Sequence, residues 1–256
     1  MNTIGAMIRL AFKEITRKKD FYVVLILLAV ILFYTAQIRI YDISSIVRYV
    51  REIALALIFF FSAGLMVSVS ARQLPGEKSQ RTLGVLMAKP VTRGQFVAGK
   101  FAAAFFAGGS AFLIFYSVFI GVSMTSVDPA GGIILFQTGY LYLLGLAVLA
   151  ALSSSFSYFM TFGANVSASL IVYLTMMFYG ERLDLFAEHA GMIPKYFGKL
   201  LYYALPHFEF FDIRTRLIHD WPALPWSLIG ILTAYAGAMC VFLLFAAWLK
   251  FRRQVI

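Results

Sequence analysis

The chain has 256 residues, 61% of them hydrophobic and only 13% charged, with a formal net charge of +10. A soluble domain carries about 45–50% apolar and about 25% charged residues, so this charge cannot cover a globule of such size in water. The composition excludes a soluble enzyme, a disordered chain and, with Cys240 as its one cysteine, a disulfide-stapled secreted module. The basic balance points to anionic lipid rather than nucleic acid. The chain reads as an all-α integral membrane protein.

In residues 1–20, Ile4, Ile8, Ala11 and Ile15 follow helical spacing while Arg9, Lys13, Arg17 and Lys18 fall elsewhere. This predicts an amphipathic helix lying at the membrane interface, with a simple lipid anchor as the plainer alternative. The stretch is too long and too charged for a cleaved signal, so the first span is expected to be an uncleaved anchor.

A hydrocarbon core of about 30 Å needs roughly 20 apolar residues as a helix. Residues 21–38, 53–71 and 101–124 are the first three such spans. From 133 to 179 there are 47 residues without Asp, Glu, Lys or Arg. One helix of that length would reach roughly 70 Å, so two spans are predicted, 133–160 and 163–179. Phe162-Gly163-Ala164-Asn165 is the expected turn between them. Residues 224–249 complete a bundle of six transmembrane helices. The runs do not alternate polar and apolar residues, which excludes β-barrel strands.

Orientation follows from Lys and Arg near the span ends. One side collects 14, at the N-terminus, after the second span and at the C-terminus; the other collects 8, five of them in the long segment 180–223. Both termini are therefore expected in the cytoplasm, with the protein multi-pass in a bacterial cytoplasmic (inner) membrane.

The spans hold no ionisable residue, which argues against proton- or ion-coupled transport and against intramembrane catalysis. No internal repeat supports an inverted-repeat carrier. Polar pathway candidates are Gln137, Asn165 and the hydroxyls Ser153, Ser154, Ser155 and Ser157. Such hydroxyls also bond their own helix or a neighbour, which is the commoner use. His189, His207 and His219 are spaced by 18 and 12, unlike a metal-ligand pattern. Met176-Met177 reads as packing. Gly108-Gly109, and Gly230 with Ala234 and Gly237, offer close helix contacts. No metal, cofactor or catalytic residue is expected in this chain.

The segment 72–95, between the second and third spans, is cytoplasmic by the charge rule and too long for a simple connection. Pro75-Gly76 is expected to break the incoming helix. Residues 79–87 read as a short helix, with Leu83, Leu86 and Met87 on one side and Gln80 and Arg81 on another. Pro90 ends it by disfavouring helix at the residue before. Thr92 then resembles an N-cap for the helix that becomes the third span. The bland alternative is a loop that basic residues hold at the lipid surface.

Glu77, Thr82-Leu83, Leu86-Met87, Pro90-Val91, Arg93 and Gly99-Lys100 form a pattern that resembles the signature of ABC-2 type exporter permeases. The branch most similar is the permease group named for maturation of nitrous-oxide reductase, a multicopper enzyme. Arg81 departs from the glycine usual there. Residues 204–220 (ALPHFEFFDIRTRLIHD) are similar to the outer-loop segment of the same group. The resemblance implies a coupling helix over 77–87 that docks on a separate cytoplasmic ABC ATPase subunit. Glu77, Lys78, Gln80 and Arg81 would make polar contacts and Leu83 and Leu86 would fill the groove, within a motif that also includes Thr82, Met87, Pro90 and Arg93. ATP and Mg would sit on that partner, in keeping with the lack of a G-x-x-x-x-G-K-[ST] loop here. In such proteins the N-terminal helix also touches the ATPase. A second permease copy, a homodimer, would enclose the pathway.

Residues 180–223 form a long outer loop between the fifth and sixth spans, rich in aromatics and suited to re-entrant or interfacial helices. It would gate an exit, receive a periplasmic accessory protein, or simply shield the bundle. The leading expectation is an ABC exporter permease. A channel or carrier, and a membrane assembly factor without transport, are the alternatives.

Overall fold

The computed structural model describes residues 44–79, 92–123, 131–189, 205–219 and 221–253, with isolated positions 22, 26, 30, 33 and 202. Of residues 44–50, 78, 79, 122, 123 and 181–189 only the backbone is described. The described residues contain helices and turns and no strand. Long helices are α1 (Ser44–Ser79), α2 (Arg93–Ser123), α3 (Gly131–Phe156), α4 (Phe162–His189) and α6 (Trp226–Arg252). Before α6 come a 3-10 turn, Phe208–Phe211, and the short α5, Arg214–Ile218.

Five helices among the described residues are long and apolar enough to cross a membrane: Arg51–Glu77, Arg93–Gly121, Gly131–Phe156, Phe162–Gly180 and Trp226–Arg252. Of the predicted first span, Tyr22, Ile26, Val30 and Phe33 are helical and exposed, spaced along one face. Its other positions, and the interfacial helix expected over 1–20, lie outside the described residues.

Three expectations are corrected. Pro75-Gly76 does not break the incoming helix, because α1 runs through Pro75 to Ser79. A proline removes one backbone bond, and tertiary contacts on either side compensate for it here. Gln73 donates to the Lys100 carbonyl at 2.6 Å, Leu74 is buried, and Glu77 pairs with Lys100. Consequently Glu77 and Lys78 belong to the last turns of α1 rather than to a separate helix.

Second, the α3–α4 turn is not Phe162-Gly163-Ala164-Asn165 but residues 157–161. The chain tightens after Phe156 through Tyr158 N–H to Ser155 and Phe159 N–H to Phe156, and the Asn165 N–H already bonds Thr161. A glycine in the first helical turn is a weaker signal than the hydroxyl pull that unwinds α3 at its serines. Third, α4 continues to His189, ten residues into what was expected to be outer loop.

α3 is the central helix. Two-thirds of its most apolar window is buried (67%), against 22% for α4 and 17% for α6, which turn most of their surface outward. It packs on α1, α2, α4 and α6. At its middle Tyr142 stacks on Phe59 with centroids 3.6 Å apart and bonds the Phe59 carbonyl. Phe112 of α2 closes on both rings.

Close approach of α1 and α2 depends on Gly108. A Cβ there would meet Met66 Sδ at 2.7 Å and Met66 Cα at 3.2 Å. The small residues of α6 behave otherwise, since nothing lies within 4 Å of a Cβ built on Gly230 or Gly237. Gly108→Val is therefore expected to lower thermal stability by about 1–3 kcal/mol through overpacking. Gly237→Ala should be neutral or slightly stabilising in the same detergent melt; equal losses from both would contradict the packing described.

Candidate functional site

The ends of α1, α2, α3 and α6 meet where the basic residues collect. Leu74, Phe96, Val97, Tyr158, Ala247 and Phe251 form a second buried cluster there, separate from the main core. Phe251 stacks on Phe96 at 5.4 Å and meets Tyr158 edge-on at the same distance. One aromatic thus joins α6 to α2 and to the α3–α4 turn.

Polar contacts close the knot. Lys100 Nζ pairs with Glu77 at 2.6 Å, the two side chains 15% and 17% exposed, and lies 5.7 Å from the Phe96 ring. Arg93 donates to the carbonyls of Phe251 and Arg252, satisfying groups that the end of α6 leaves open. The start of α2 is a reciprocal capping box: the Gln95 N–H donates to Thr92 Oγ1, and the Thr92 N–H to Gln95 Oε1. Thr92 is thus the N-cap that its position suggested. The two helices flanking the predicted coupling helix are clamped to each other and to α6.

Of the residues assigned to coupling, Glu77 and Arg93 belong to this knot and Lys78 follows in α1. Gln80, Arg81, Thr82, Leu83, Leu86, Met87 and Pro90 lie outside the described residues.

The polar pathway candidates are buried and mostly engaged. Gln137 holds the Leu224 backbone from both sides, donating to its carbonyl at 3.0 Å and accepting from its N–H at 2.9 Å. Asn165 donates to the Ser153 carbonyl at 2.9 Å, while its own oxygen accepts from Ser153 and Ser169. Ser155 donates to the Leu243 carbonyl and Ser157 to the Ser154 carbonyl. Ser154 Oγ has no partner among the described residues. These groups act as staples between α3, α4 and α6. His207 and His219 sit apart, and no metal-holding group of His, Cys, Asp or Glu occurs among the described residues.

Residues 69–184 match the family described as ABC-2 family transporter protein. That segment, a little under half of the chain, is thus similar to an ABC-2 type permease. The match begins shortly before Gln73 and Leu74 and runs through α2, α3 and most of α4. No curated protein matches the chain. The ABC-2 family is a membrane transport component, not itself catalytic, and implies an ABC ATPase partner.

Sequence reading missed one feature of the bundle. Residues 205–219 fold back on the bundle, with Phe208, Phe211, Leu217 and Ile218 buried. Asp212 and Arg214 form a forked ion pair at 2.6 Å, and the Arg214 guanidinium lies 5.3 Å from the Phe59 ring. A charge pair thus packs against α1 although none of the spans predicted from the sequence contains one. The only signal was the i, i+2 spacing of the two residues, which an exposed loop shares. His207 is 7% exposed, and Tyr235 Oη lies 3.2 Å from its Nδ1.

Two outcomes test this description. Glu77→Gln or Lys100→Met alone should lower stability by about 1–3 kcal/mol, less than for a fully buried pair because both side chains keep some water. Combining Glu77→Leu with Lys100→Met should recover most of that loss in the same melt. Burial lowers the His207 pKa despite an opposing bond from the Leu205 backbone. The unfolded chain then binds a proton that the folded one refuses, so stability is full above pH of about 6.5 and falls as pH drops below it. His207→Phe should flatten that dependence in melts run from pH of about 7.5 to about 5.

Proposed function

We propose that this chain is the membrane subunit of an ABC exporter, driven by ATP hydrolysis on a separate cytoplasmic ATPase. The observation that carries the reading is the knot made by the helices that flank residues 80–91 in the chain. A push on that segment reaches α1 through Glu77 and α2 through Lys100, and Arg93 passes it to α6. Rigid elements joined at a short segment move as bodies, which is what conversion of a docking motion into helix displacement needs.

ATP and Mg would be bound by the partner, and this chain would bind neither. Leu83 and Leu86 would fill the ATPase groove, flanked by Gln80, Arg81 and Lys78. The outwardly turned α4 and α6 leave room for a second copy, so a homodimer would enclose the pathway at a seam. The engaged state of Gln137, Ser153 and Asn165 favours that arrangement over a path within one chain. Charge counts favour the bacterial inner membrane with cytoplasmic termini. Residues 204–220 favour the branch named for multicopper-enzyme maturation, with the outer segment as the face for a periplasmic partner.

The test is ATP turnover and transport by the copurified complex in liposomes. Leu83→Asp should reduce turnover at least about tenfold, equivalent to about 1.4 kcal/mol of docking free energy. Full turnover in that variant, or transport that persists without ATP, would overturn the reading in favour of a carrier.

A further inference from the structure

We propose that the basic end of α6 holds a specific anionic phospholipid, its phosphate between Lys250 and Arg253. A groove of about 380 Å³ opens there, lined by Phe159, Ala246, Leu249, Lys250 and Arg253. Ala246, Leu249, Lys250 and Arg253 recur at helical spacing, so one stripe of α6 forms one wall. Phe159, from the α3–α4 turn, forms the other and lies 5.6 Å from Lys250 Nζ.

Both cations are available. Lys250 and Arg253 are exposed, and among the described residues no carboxylate pairs with either. Arg93 already bonds the last α6 carbonyls, so neither cation is needed to cap that helix. Two basic side chains at one end of a groove match a phosphodiester in charge and reach.

The apolar wall separates a lipid from a free phosphate. Above the cations, Phe242, Phe245 and Leu249 are 61%, 54% and 40% exposed on a helix only 17% buried in its apolar window. They continue the groove along the direction that an acyl chain takes from its headgroup. The site also lies at the end where Lys and Arg concentrate, which faces the anionic leaflet under the charge rule. Phe159 and Phe251 both belong to turns or helices of the knot, so a bound lipid would brace it from outside. The inference needs only the membrane-spanning helices and stands whether or not an ATPase drives the protein.

Native mass spectrometry of the full chain, released from mixed phosphatidylglycerol and phosphatidylethanolamine vesicles, tests it. The expected result is preferential retention of phosphatidylglycerol. Lys250→Gln with Arg253→Gln should reduce that preference on the order of tenfold. The charge-keeping pair Lys250→Arg with Arg253→Lys should retain it, as should Arg216→Gln at the opposite end. Preference unchanged in the Gln double variant would overturn the proposal. So would displacement of the lipid by inorganic phosphate as readily as by the glycerophosphoglycerol headgroup. Loss of a copurifying protein subunit with lipid preference intact would assign the patch to that subunit instead and equally overturn it.

Discussion

Inside hydrocarbon a polar group has no water to return to, and each one left unpaired costs several kcal/mol. This constraint organises the bundle more than any single contact. It explains why Gln137, Ser155 and Asn165 each donate to a backbone carbonyl of a neighbouring segment. Gln137 is the clearest case. An amide that grips both backbone groups of Leu224 fixes where α6 begins relative to α3, with no further need for side-chain complementarity. Asn165 does the same at the other end of α3, tying the α3–α4 turn closed.

The same constraint decides how charge is used. At the basic end, Glu77, Lys100 and Arg93 sit at the rim of the hydrophobic cluster around Phe251, where partial exposure lowers the desolvation cost. Their bonds join the ends of three helices, α1, α2 and α6, at the place where the segment 80–91 leaves and returns. Deeper in the bundle, Asp212 neutralises Arg214, whose guanidinium lies against Phe59, the ring that Tyr142 stacks on. The basic end of the bundle is therefore fastened by paired charges and aromatics. The middle is held by ring stacking and by the close approach that Gly108 permits.

The pair of helices with little burial, α4 and α6, gives the molecule its sidedness. The outward face of α6 is apolar along its length and basic at its C-terminal tip. Such a surface suits lipid on part of its perimeter and another membrane protein on the rest. The groove at Lys250 and Arg253 distinguishes the two kinds of surface, since a cationic tip above an apolar track has the chemistry of a headgroup site.

Much of the fold was legible because hydropathy and length respond to one physical variable, the thickness of the bilayer. The apolar runs around 53–71, 101–124, 133–160, 163–179 and 224–249 each contain one long helix, and Thr92 marked the start of α2 through a local hydrogen-bond pattern. Breaks were less legible. Pro75-Gly76 and Phe162-Gly163 are punctuation in isolation, yet Gln73, Leu74 and Glu77 carry α1 past the first, and the serines after Ser153 move the second turn forward. Those outcomes depend on partners 12 to 27 residues away, which no window along the chain contains. By itself the sequence determined the solvent, the helical class, the end where positive charge collects and the ABC-2 signature. Only the tertiary structure decided that Glu77 meets Lys100, that Arg93 caps α6 and that Asp212–Arg214 packs into the bundle. Composition records how many polar groups must be satisfied, whereas three-dimensional packing alone selects which partner satisfies each.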